Sequence, residues 1–272
     1  MIGEEETALW RQAVESVGAL DVYLDWLLIH DPRRGELLRK RMQHGTLSSS
    51  ESREEMRAWA KVLDLDGFEG LGFWPVPTYA AIDARRLPLL EHVIEQLPFL
   101  WIVLELDDPD LVEPALASPV VAKLRRLGFT ARQYEHDNGP SVPWSYFGSQ
   151  VVAALCASPN LARLEGLQLN HEPGRACASL VAAAPFVALR ELSISDASIG
   201  DAGVIAIATS PLGKTLRRLA LVESEIGDAG ALALVRCRLE ELAIDGHRIG
   251  PSAAAALRAM PSLKRLTLVP EV

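Results

Sequence analysis

Cysteine is scarce: the 272 residues hold three, Cys156, Cys177 and Cys237, an odd number, far apart and without C-x-x-C or Cys/His spacing. That argues against a disulfide framework and a zinc site, and leaves small buried hydrophobes as the reading. A membrane-length apolar run is missing as well. The longest uncharged stretch, Asn138 to Ala162, is broken by Gly139, Pro140, Pro143, Gly148 and Pro159, so no transmembrane helix is expected. Positive charge is outnumbered, with 27 Lys+Arg against 36 Asp+Glu, a net charge of −9 and a pI near 5.2. Long-range repulsion then disfavours nucleic acid and an anionic membrane as general partners, although a local basic patch stays open. The N-terminus carries Glu4, Glu5 and Glu6 where a secretory signal needs positive charge, so a cytoplasmic location is expected.

Catalytic groupings are missing too. His30, His44, His92, His136, His171 and His247 are scattered, with no H-x-H, H-E-x-x-H or neighbouring Cys, and neither a nucleophile with its base nor a metal cluster stands out. The glycine-rich run Gly67 to Gly72 has no Lys-Ser/Thr after it and reads as a turn, not a phosphate loop. Asp107-Asp108-Pro109-Asp110 lacks the spaced oxygen ligands of a calcium loop, and a helix N-cap is the simpler reading. No catalytic residue, cofactor or metal is expected.

What the chain does have is a repeat. At roughly 150 residues per domain the length suggests about two domains. The register L-x-x-L-x-L recurs at Leu189/Leu192/Ile194, Leu216/Leu219/Leu221, Leu239/Leu242/Ile244 and Leu263/Leu266/Leu268, at intervals of 27, 23 and 24 residues. Behind the first three come Ile199-Gly200-Asp201-Ala202-Gly203, Ile226-Gly227-Asp228-Ala229-Gly230 and Ile249-Gly250-Pro251, then alanine-rich helical runs. Here the glycine admits a sharp turn and Asp201 or Asp228 caps the helix that follows. Weaker copies lie at Leu164/Leu167/Leu169, Leu124/Leu127/Phe129, Trp101/Leu104/Leu106 and Phe68/Leu71/Phe73. Ser-Pro or Ala-Pro pairs before several strands end the preceding helix. The pattern resembles the ribonuclease-inhibitor-like class of leucine-rich repeats over about 200 residues, which implies an α/β solenoid: a parallel β-sheet on the concave face and helices on the convex one. The departure is at the family's Asn position, held by Glu172, Ala197, Ser224 and His247.

Residues 1 to 66 carry a helical period instead. Trp10, Ala13, Val14 and Val17 share one face, as do Leu20, Leu24, Leu27 and Leu28, and Met56, Trp59, Ala60 and Leu63. Asp31-Pro32 separates the second helix from the third, and Ser48-x-x-Glu51 and Ser52-x-x-Glu55 both have capping-box form. Tyr23-x-Asp25-Trp26-Leu27 and Asp31-Pro32-Arg33-x-Gly35-Glu36 resemble the small helical repeat-companion domain that precedes leucine-rich repeats in many bacterial proteomes. The resemblance implies a structural role and no chemistry. The expected organisation is a helical module at 1–66 capping a solenoid at 67–272, with an insert at about 135–149.

Two regions are candidates for binding. The outward positions of the repeat read Arg190, Arg217, Glu240, Lys264 and Glu191, Arg218, Glu241, Arg265. Stacked about 4.8 Å apart, opposite charges become lateral neighbours. They hold a wide sheet in solution and offer a mixed-charge strip that selects a partner by complementarity. The insert holds Trp144, Tyr146 and Phe147 in a Pro/Gly-framed loop with the composition of an interface hot spot, or of a cover for the solenoid. The open edge after Leu268 offers a place for self-association or a partner strand. The expected function is a non-catalytic adaptor that binds another protein. The alternative is a regulator of a partner enzyme, an inhibitor or small-GTPase activator, for which Arg217 and Arg218 are available.

Overall fold

A computed structural model describes residues 3–44, 47–63, 71–73, 77–106, 109–131, 152–169, 178, 181–182, 184, 186–195 and 198–269. The chain packs as two compact units, one of residues 1–82 and 89–103, the other of residues 83–88 and 104–272.

The first unit opens with four helices, α1 (Glu4–Glu15), α2 (Val17–His30), α3 (Pro32–His44) and α4 (Ser49–Val62). Pro32 starts α3, where its missing N–H is no loss, and the Asp31 carboxylate accepts the Arg34 N–H in the first turn. Gly35 lets α3 approach α2 closely: a Cβ there would lie 2.8 Å from the Leu28 backbone nitrogen. The Ser48 capping box closes in both directions with Glu51, whose carboxyl is pulled down to about 2 by Lys40 and by Ser48. Ser52 forms no second box. It lies inside α4, and Glu55 is buried against Arg41 at 2.5 Å instead. The face expected to run from Trp10 to Val17 is interrupted, because α1 ends at Glu15 and Ser16 is extended.

Aromatic rings fill the centre of this unit. Trp10 lies 4.6 Å from Trp59 and meets Phe99 edge-on at 6.0 Å. The Arg34 guanidinium sits 4.7 Å over the Trp59 ring and donates to Glu6 Oε1 at 2.7 Å and Asp31 Oδ2 at 2.6 Å. Tyr23 donates to the same Glu6 oxygen at 3.0 Å, and burial with the Glu6 charge pushes its hydroxyl far above the ordinary range. The copy at Phe68/Leu71/Phe73 is not a repeat strand. β1 (Leu71–Phe73) pairs antiparallel with β2 (Pro77–Asp83), which has no L-x-x-L-x-L register. α5 (Glu91–Gln96) follows, and β3 (Trp101–Leu106) carries the division between the units.

In the second unit α6 (Val112–Ala117) leads to a parallel ladder in chain order: β4 (Arg126–Ala131), β5 (Gly166–Leu169), β6 (Glu191–Ser195), β7 (Arg218–Val222), β8 (Glu241–Asp245) and β9 (Arg265–Val269). The register places Leu192, Leu219, Leu242 and Leu266 side by side, and Ile194, Leu221, Ile244 and Leu268 likewise. The leucine positions point inward as the two-residue period requires, and those of β4 to β8 are buried, whereas Leu266 and Leu268 of β9 are half-buried. Each fully buried aliphatic contributes about 1.5–3 kcal/mol. Between the strands run α7 (Gly200–Thr209), α8 (Leu212–Thr215), α9 (Asp228–Leu234) and α10 (Pro251–Arg258).

The glycine and aspartate of each turn join neighbouring repeats. Only Gly200 takes a positive φ, +60°. Gly227 and Gly250 have negative φ, and what they provide is space: a Cβ at Gly227 would meet Asp201 at 3.2 Å, and one at Gly250 would meet Asp228 at 3.0 Å. Asp201 and Asp228 do not cap the helices they begin. Asp201 Oδ1 accepts the N–H of Gly227 at 2.7 Å and of Gly230 at 2.9 Å, and Asp228 Oδ1 accepts that of Gly250 at 2.7 Å. Each aspartate therefore supplies to the next repeat's helix the cap that its glycine cannot. Where the third copy would place the aspartate stands Pro251.

The Asn position of the motif is replaced by another side chain. Asp245, buried in β8, accepts the N–H groups of Glu223 at 2.9 Å and Ser224 at 2.6 Å and holds a turn in which Glu223 and Glu225 both have φ +54°. His247 is exposed and Ser224 buried, while Glu172 and Ala197 lie outside the described residues.

Candidate functional site

The strip predicted at the second and third repeat positions is assembled as two adjacent columns. In the first, each main-chain N–H donates at 2.7 Å to the carbonyl one repeat earlier, through Arg125, Glu165, Arg190, Arg217, Glu240 and Lys264. Their side chains pair as Arg125 with Glu165 at 3.2 Å, Arg217 with Glu240 at 3.8 Å and Lys264 with Glu240 at 2.6 Å. The one like-charged step is relieved by carbonyls: Arg190 donates to Thr215 O, and Arg217 to the carbonyls of Lys214, Thr215 and Leu216.

The second column runs Arg126, Gly166, Glu191, Arg218, Glu241, Arg265 in register. Arg218 meets Glu191 at 2.5 Å and Glu241 at 3.6 Å, and Arg265 meets Glu241 at 3.3 Å. Gly166 has no side chain, so Arg126 reaches across its strand to Glu191 at 2.8 Å. Glu191 Oε1 thus serves two guanidiniums and is the most enclosed acid of the strip, its side chain 17% exposed against 75% for Lys264. Arg125, Arg126 and Glu165 were missed as members, although the copies at Leu124 and Leu164 mark the same two positions.

Beside these columns the mid-strand outward positions are small or uncharged: Gly128, Gln168, Ser193, Ala220, Ala243 and Thr267. The charged columns therefore border a low, neutral track on the same face. Trp144, Tyr146 and Phe147 lie outside the described residues, as do Cys177, Asp107 and Asp108. Cys237 is buried and Cys156 half-buried, and burial pushes both thiols up, which makes them poor nucleophiles at neutral pH. Among the described residues no His/Cys/Asp/Glu cluster is placed to hold a metal, and no helix is long and apolar enough to cross a membrane.

Residues 189–208 and 214–235 match the family model described as leucine-rich repeat, and no curated protein matches the chain. The two matched stretches cover β6 with α7 and β7 with α9, the repeats in which the leucine register and the Asp201 clasp are seen together. With six parallel strands in chain order and helices between them, the second unit is a leucine-rich repeat array.

Proposed function

We propose that this array is a non-catalytic protein-binding module, an adaptor whose mixed-charge strip on β6 to β9 selects its partner. Leucine-rich repeats generally bind other proteins and are typically non-catalytic. The observation that carries the reading is the second column, where Glu191, Arg218, Glu241 and Arg265 are held in one register by mutual ion pairs beside the neutral track. Such a strip presents fixed charges without reorganisation, which favours specificity and encounter rate.

The test inverts the strip without unpairing it. The fivefold variant Arg126→Glu, Glu191→Lys, Arg218→Glu, Glu241→Lys, Arg265→Glu exchanges the sign of every charge in the column and keeps its pairs Arg126–Glu191, Glu191–Arg218, Arg218–Glu241 and Glu241–Arg265 opposite. Its melt, followed by circular dichroism, is expected to stay near that of the parent. Affinity capture from native cell extract is expected to lose the proteins the parent retains. Identical captured sets would remove the column from consideration.

A further inference from the structure

The charges of the repeat unit are sorted by edge. Parallel strands in register begin at one edge of the sheet and end at the other, so residues just ahead of each strand share the leading edge. Over β4 to β9 the strand's first residue and the eight before it contain Lys123, Arg125, Arg126, Arg163, Arg190, Lys214, Arg217, Arg218, Arg236, Arg238, Arg258, Lys264 and Arg265, thirteen of the chain's 27 Lys+Arg. The same windows hold four acids, Glu165, Glu191, Glu240 and Glu241. From the last residue of β6, β7 and β8 to the first turn of the helix that follows, the described charged residues are Asp201, Glu223, Glu225, Asp228 and Asp245, with Arg248 the one Lys or Arg. A chain of net charge −9 therefore has a leading edge with nine more bases than acids.

Part of this excess is unmatched. Arg163, Lys214, Arg236, Arg238 and Arg258 are exposed and make no ion pair with any described residue. Lys214 and Arg258 sit in the last turns of α8 and α10, where the helix dipole favours a cation. Arg163 and Arg238 have no such explanation, the first lying in the turn before β5 and the second close ahead of β8. The five fall one or two per repeat across four repeats, so they form a row that crosses the strands.

We infer that this leading edge is the docking site of an acidic, extended segment of a protein partner, lying across the repeats on Arg163, Lys214, Arg236, Arg238 and Arg258. The inference rests on the reading of the array as a protein-binding module and adds the chemistry of the partner. From β5 to β9, five strands at about 4.8 Å span roughly 19 Å, a distance an extended peptide covers in about six residues. A peptide places its carboxylates at intervals and leaves room for Glu165 and Glu240, which interrupt the row. A nucleic-acid backbone has a charge at every phosphate and meets those glutamates and the acidic opposite edge.

The test uses the full chain and a fluorescein-labelled peptide of about 12 residues alternating Glu with Ser, long enough to cross the strands. Fluorescence anisotropy at low ionic strength is expected to show binding that weakens steeply with added salt. The variant Arg163→Glu/Arg236→Glu/Arg238→Glu, with an unchanged circular dichroism melt, is expected to bind about tenfold more weakly or worse, since it reverses only rim charges. Charge reversal at Glu223 and Glu225 on the opposite edge is expected to leave the affinity unchanged. Failure of the parent to bind, equal binding by the triple variant, or equal affinity for an oligothymidylate of matched charge would each overturn the inference. A parent that ignores the peptide and still captures proteins through the second column would sink this inference alone.

Discussion

Replacing Arg34 with Met is expected to destabilise the helical unit by about 3–5 kcal/mol, the cost of stranding a buried charge. Arg34 and Glu6 are 4% and 7% exposed in their side chains, and the guanidinium joins Glu6 on α1 to Asp31 ahead of α3 while covering the Trp59 ring on α4. Burial pulls against the Arg34 charge, but the hydrogen bond and charge of Glu6 outweigh it, so its pKa is raised. Methionine fills much of the same volume over Trp59 and leaves the Glu6 carboxylate with the Tyr23 hydroxyl as its remaining donor. Urea unfolding of the single variant is expected to show most of this loss, and the double variant Glu6→Leu/Arg34→Met to recover a large part of it, because the unpaired charge is then gone. Equal losses in the two variants would mean that packing over Trp59, not the ion pair, is what Arg34 supplies.

The second large effect falls on the clasp between repeats. Asp201→Ala removes the acceptor of two N–H groups at the start of α9 and a negative charge from its N-terminus, for an expected loss of about 2 kcal/mol. Asp228→Ala removes one such bond and is expected to cost about half as much. In a repeat array energy passes between neighbours, so the loss should be local. Hydrogen exchange is expected to quicken first in α9 for Asp201→Ala and first in α10 for Asp228→Ala. Quickening confined to α7, the helix that contains Asp201, would contradict the assignment of the carboxylate to the next repeat.

These clasps mark where sequence reading stopped. The strands β6 to β9 are legible because burial on one face of a strand imposes a period of two and the repeat returns it every 23 to 27 residues. Linear spacing also marks Asp201 and Asp228 as helix-start residues, but it does not tell which helix receives the carboxylate. The answer lies in Gly227 and Gly250, whose missing Cβ atoms leave room for the neighbour's side chain. β1 was misread for a different reason: a three-residue strand shows too little of any period, and Phe68/Leu71/Phe73 imitates the leucine register by chance. The break at Ser16 was hidden because Val17 stays in phase with Trp10 across it.

The candidate site divides in the same way. Glu191, Arg218, Glu241 and Arg265 could be placed side by side from the register alone, and they are. That Arg126 reaches Glu191 past Gly166 depends on the glycine between them, which reads in the sequence as a weak copy of the motif. The basic leading edge was within reach of a charge count taken ahead of each strand, but it was masked by a net charge summed over the chain, in which the acids outside that edge outnumber its excess of bases.

The lysines of the chain offer the most direct test of a partner bound at the charged side of the array. There are five: Lys40 and Lys61 lie in α3 and α4, and Lys123, Lys214 and Lys264 on the leading edge of the sheet. Amine cross-linking of the full chain to a captured partner, read by mass spectrometry, is expected to place the intermolecular links on Lys123, Lys214 and Lys264. Links confined to Lys40 and Lys61 would contradict it and move binding to the helical unit.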